Sequence, residues 1–172
     1  PQRGNPTTFL DVSIGNLRAL RIQVLGEVAQ PGAYTVGPNT TLFSALYYFN
    51  GPLTSGSLRD IQLIRNGEKI ATIDFYEFLL TGKKPDDQRL QLDDVIFIPK
   101  RINKVSINGE INRPAYYELK PNETLIDLIN IAGSLKVTAY LDRAQVDRIV
   151  PFNERAKIGM DRMFIDVDLK SV

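Results

Sequence analysis

Glu27 and Glu110 are the first residues to invite a chemical reading, because each follows a glycine in an apolar run: Val24-Leu25-Gly26-Glu27-Val28 and Ile107-Asn108-Gly109-Glu110-Ile111. Two carboxylates can cleave a glycosidic bond, but only when they flank one bond in a single cleft, roughly 5–10 Å apart. Glutamates at matching positions of two sequence copies are expected instead to do one structural job twice. Arg59, Arg65, Arg143 and Arg148 flank a strand in each half. A planar guanidinium can grip an acidic sugar through two parallel hydrogen bonds, so these four are candidate ligand or interface residues, with solvated charges or ion pairs as the alternative. Tyr47, Tyr48, Tyr116 and Tyr140 complete the candidate set. They do not recur between the copies, and an aromatic face can stack on the apolar face of a sugar ring or anchor an interface, although helix packing would also account for Tyr47 or Tyr48.

Composition narrows the chemistry. The 172 residues contain no histidine and no cysteine, so Ser-His and Cys-His nucleophiles, thiolate zinc sites and disulfides are excluded within this chain. Gly26 and Gly109 do not belong to a glycine-rich loop entering a helix, so they read as points of close backbone approach rather than phosphate cradles. Neither catalysis nor a cofactor is expected. With 21 Lys+Arg against 20 Asp+Glu the net charge is +1, and no basic stripe suggests a nucleic-acid partner. The longest apolar runs, such as Val95–Pro99, fall far short of the roughly 20 residues of a membrane-spanning helix. The sequence opens on Pro1 and is read as a piece of a longer protein.

The elements that would position these residues occur twice. Gly26 and Gly109 define an offset of 83 residues (109 − 26), and Pro31/Pro114, Tyr34/Tyr117, Pro38/Pro121 and Thr41/Thr124 keep it without a gap. Each copy begins with a strand around Ile22–Val28 or its equivalent, turns at Pro31-Gly32 or Pro114-Ala115, and returns through a tyrosine. Leu42, Ala45, Leu46 and Phe49 then fall at i, i+3, i+4, i+7, and Leu125, Leu128, Ile129 and Ala132 repeat that spacing, which predicts a short helix with one apolar stripe. Thr41 and Thr124 are the expected N-caps, while Asn50 and Gly133 are placed to end the helices in a left-handed conformation. Asn66-Gly67 predicts a type I′ hairpin, Leu79-Leu80 a short apolar turn, and Val95–Pro99 a buried strand stopped by proline. The matching third strand of the second copy is expected near Gln145–Val150.

These patterns predict an α+β chain of two tandem β-grasp-like modules, each a mixed sheet with one helix. The expected boundaries are 1–20 for an extended segment from a preceding domain, 21–101 for the first module and 102–172 for the second. Nothing after Val172 corresponds to Leu92–Pro99, so the second module is expected to lack its closing strand, with the edge near Phe164–Leu169 open or paired with Phe9–Ile14.

The runs Gly26–Tyr34, Gly56–Gly67 and Leu92–Pro99 resemble the soluble-ligand-binding β-grasp (SLBB) domain, and more narrowly the SLBB domains of bacterial polysaccharide export proteins, the outer-membrane translocons for capsule and exopolysaccharide. Asp11–Arg18 is similar to the stretch before those domains. The chain departs from the family pattern at Asp93-Asp94, where Gly-Asp is usual, and at Asn50-Gly51, where Gly-Gly is usual. The resemblance implies a periplasmic assembly module of an oligomeric export channel associated with the outer membrane. It implies a homo-oligomeric ring, polysaccharide and an inner-membrane polysaccharide co-polymerase as partners. A glycan or small-ligand receptor is the alternative, and an enzyme accessory domain a third reading.

Overall fold

The computed structural model describes residues 11, 15, 18–85 and 87–170. Apart from Asp11, the extended segment expected at Phe9–Ile14 lies outside them. The chain divides into two compact units, with the boundary between Lys100 and Arg101. Both are α+β units that combine β-hairpins with short helices.

Unit 1 is built on alternation. In strand β1, Leu20–Gly26, the side chains of Ile22 and Val24 are fully buried while Arg21 and Gln23 face solvent. Strand β2, Gly32–Val36, pairs antiparallel with it and sets Ile22 opposite Tyr34. Helix α1, Leu42–Ala45, starts in a reciprocal capping box between Thr41 and Ser44. It tightens into a 3-10 turn over Leu46–Phe49 and stops at left-handed Asn50, φ 61°. All four residues of the expected stripe, Leu42, Ala45, Leu46 and Phe49, are buried.

Strands β3, Ile61–Arg65, and β4, Glu68–Ile73, meet at Asn66 and Gly67, both with positive φ as a type I′ turn requires. Asp74 then caps helix α2, Phe75–Thr81. The spacing of Leu79 and Leu80 predicts only a turn here. The helix docks instead through Phe75 and Phe78, which pack on Phe43 with ring centroids 5.3 and 4.9 Å away. Strand β5, Val95–Ile98, closes the sheet in the order β2-β1-β5-β3-β4, parallel to β1 and antiparallel to β3. Its Ile96 and Ile98 are fully buried in the core.

Unit 2 repeats the plan with a thinner core. Strands β6, Lys104–Ile107, and β7, Ala115–Glu118, form one antiparallel hairpin. Helix α3, Leu125–Ile131, again has a capping box, between Thr124 and Asp127. Of its expected stripe, Leu128 and Ala132 are buried, whereas Leu125 and Ile129 are half-buried. Strand β8, Ala144–Ile149, pairs with β9, Arg162–Val167, and helix α4, Phe152–Ile158, stands between them where unit 1 has its two-residue turn. Each unit therefore carries a second short helix that the apolar spacing did not reveal. Among the described residues the two hairpins of unit 2 remain separate two-stranded sheets.

The difference in burial has a measurable consequence. Leu46→Ala is expected to lower stability by about 2–5 kcal/mol, and Ile129→Ala by less, because only the first removes atoms from a closed core. Urea unfolding of the two variants, followed by hydrogen exchange in each unit, checks the order.

Candidate ligand-binding site

The repeated glutamates and tyrosines are used up by the fold. Ser55 hydrogen-bonds to the carboxylate of Glu27, and Thr138 donates at 2.7 Å to Glu110, 28 residues away in both copies. Tyr34 donates to the carbonyl of Gln30 at 2.6 Å, and Tyr117 to that of Arg113 at 2.7 Å. Each glutamate and each tyrosine thus ties its hairpin to nearby chain, in its own unit.

Three of the four candidate arginines are engaged. Arg59 reaches Asp74 at 3.0 Å and lies 4.8 Å from the ring centroid of Tyr76, linking the start of β3 to the cap of α2. Arg65 grips the fully buried Asp94 with two hydrogen bonds of 2.8 Å and also donates to the carbonyl of Arg89 at 3.1 Å. Arg143 pairs with Asp166 at 3.3 Å on an exposed edge. The Arg148 side chain, on a strand residue paired with Met163, has neither a hydrogen bond nor an ion pair among the described residues.

The tyrosines all reach solvent. Tyr116 is exposed with the Lys104 ammonium 4.1 Å from its ring centroid, and Tyr140 is exposed as well. Tyr47 and Tyr48 project from the 3-10 turn and are 73% and 50% exposed, so packing does not account for them. Beside Tyr47 opens a cleft of about 300 Å³, lined by Phe43, Leu46, Asn50, Pro52, Leu58 and Phe75. It combines an aromatic wall with an amide at its edge, the pairing that suits an amphipathic ring such as a pyranose. A larger polar depression lies against Asp74, Glu77, Lys83 and Lys84. Its charges are already paired, Glu77 with Lys83, Lys84 with Asp87 and Asp74 with Arg59, which leaves it less suited to a ligand.

The sequence profile of the SLBB domain matches residues 21–74 and again 104–161. This chain belongs to the SLBB domain family. No curated protein matches the chain. An SLBB domain is a soluble-ligand or polysaccharide-binding module of a binding and transport-associated family, and such domains occur in periplasmic export proteins. No helix among the described residues is long and apolar enough to cross a membrane.

Within the first SLBB module the cleft gathers Phe43, Pro52 and Phe75, none of which stood out in sequence, with Asn50, which sequence marked only as a helix stop. The aromatic spacing between helix α1 and helix α2 was the available signal, but it became visible only with α2 in place. The second SLBB module offers an electrostatic test. Its Glu110 carboxyl is held below the usual carboxylate range, first by the Thr138 hydrogen bond and then by the Lys136 ammonium. A depressed folded-state pKa contributes stability above the ordinary carboxylate value and loses it as pH falls through the depressed one. Thr138→Val is expected to move the Glu110 titration upward, towards the ordinary value, as read by side-chain carboxyl NMR.

Proposed function

We propose that this chain is the periplasmic SLBB pair of an oligomeric polysaccharide export channel associated with the outer membrane. Its modules form part of the conduit wall, and an inner-membrane polysaccharide co-polymerase is the partner on the other side of the periplasm. The observation that supports this reading is the tandem duplication of a binding module in one chain whose repeated glutamates and tyrosines serve the fold. Copies presenting the same surfaces around a rotation axis close into a ring.

The exposed Tyr47 beside an apolar cleft favours a second reading, direct glycan reception by the first module. The two readings separate in one experiment on the full-length protein. Tyr47→Ala and Tyr140→Ala are compared for oligomer formation and for binding of the exported glycan. Arg59 is a poor probe of either, because it holds Asp74 at the cap of α2. Loss of the ring with glycan binding intact supports the assembly role. A glycan affinity about five- to tenfold weaker for Tyr47→Ala, with the ring intact, supports reception, since one aromatic stacking contact is of that size. Glycan cleavage by the purified protein would overturn both.

A further inference from the structure

The 83-residue offset makes unit 1 a template for unit 2, and three features of unit 2 match the places where β5 sits in unit 1. The first is burial. Ile22 and Val24 on β1 and Leu63 on β3 are fully buried beside β5, whereas their counterparts Val105, Ile107 and Val146 on β6 and β8 are only half-buried. β6 is paired only with β7, and β8 only with β9, among the described residues.

The second is backbone. Gly26, at φ +91°, lies so close to β5 that a Cβ there would stand 2.1 Å from the carbonyl oxygen of Ile98. Gly109 keeps the same conformation, φ +98°, with nothing within 4 Å of the corresponding point. The third is charge. Arg65 takes the carboxylate of Asp94, the residue leading into β5, in a two-pronged grip. Arg148 stands 83 residues on (148 − 65), is exposed, and its guanidinium has no partner among the described residues.

We propose that unit 2 is a strand acceptor. The free edges of β6 and β8 take one extended peptide segment, parallel to β6 and antiparallel to β8, with a carboxylate leading a short run of β-branched and aromatic residues. Backbone ladders supply affinity, as in other cases of strand addition, and the side-chain match supplies selectivity. The apolar run covers Val105, Ile107 and Val146. Gly109 admits the close approach of its far end, and Arg148 grips the carboxylate at its near end, which fixes direction and register.

A synthetic peptide of residues 92–99 carries this chemistry and serves as the probe, added to the 172-residue chain. Hydrogen exchange is expected to slow at Lys104–Ile107 and Ala144–Ile149. Arg148→Gln in the protein, or Asp94→Asn in the peptide, is expected to weaken binding about thirtyfold or more, the size seen when one partner of a buried charge pair is removed. The charge-reversed combination, Arg148→Asp with Asp94→Lys in the peptide, is expected to recover part of the loss. Gly109→Val, which leaves Arg148 untouched, is expected to block binding by obstructing the backbone. The proposal is overturned if neither edge is protected, if protection appears at β1 and β3 instead, or if binding is indifferent to Arg148. Equal protection of the same edges by an oligosaccharide would also overturn it.

Discussion

Gly26→Ala is expected to unfold unit 1 under conditions where the parent is stable, at a cost of about 4 kcal/mol or more. Two penalties combine at this residue. A side chain at φ +91° is strained, by about 1–3 kcal/mol. The added Cβ would also stand 2.1 Å from the Ile98 carbonyl oxygen, a backbone atom that can withdraw only by breaking the parallel ladder between β1 and β5. Gly109→Ala meets the first penalty without the second, so in the chain by itself it is expected to cost only about 1–3 kcal/mol. Urea unfolding monitored unit by unit tests the asymmetry. Equal losses at the two glycines would show that conformation alone, and not the approach of β5, sets the requirement.

Asp94→Ala is expected to cost about 3–5 kcal/mol, the range for breaking a buried ion pair by removing one member. The loss reaches beyond Arg65. Asp94 also accepts the backbone N–H of Gln91 at 2.7 Å, so its removal releases the turn before β5 as well as the end of β3. Asp94→Ala combined with Arg65→Met is expected to lose less than the sum of the two single changes, because the second change removes the stranded cation. Additive losses in chemical denaturation would mean that the pair contributes nothing as a pair.

The features readable in sequence were those fixed by neighbours a few residues apart. The Asn66-Gly67 hairpin, the caps at Thr41 and Thr124 and the stops at Asn50 and Gly133 depend on local dihedrals and short hydrogen bonds, and they emerged without knowledge of the sheet. Helix α2 was hidden because its packing face is aromatic and meets Phe43, far away in sequence, while Leu79 and Leu80, which drew attention, are exposed. Helix α4 was hidden because none of its side chains is buried and its insertion ends the regular offset after Val150.

The candidate residues followed the same division. Spacing found Arg59 and Arg65 but not their partners, since Asp74 and Asp94 reach them only through the fold. Tyr47 and Tyr48 lie between the stripe positions Leu46 and Phe49 and point away from the buried face, so the apolar spacing itself leaves them exposed.

The central position of β5 also sets an order of events during synthesis. β1 emerges from the ribosome early, yet its apolar edge finds its parallel partner only after Val95–Ile98 has been made. Until then the nascent unit holds two hairpins with an open seam between them, the kind of unpaired edge that draws aggregation or chaperones. Pairing the two ends of the unit closes a long loop, which makes this step slow compared with the hairpins on either side. Folding of the first module is therefore expected to be limited by the arrival of a single four-residue strand.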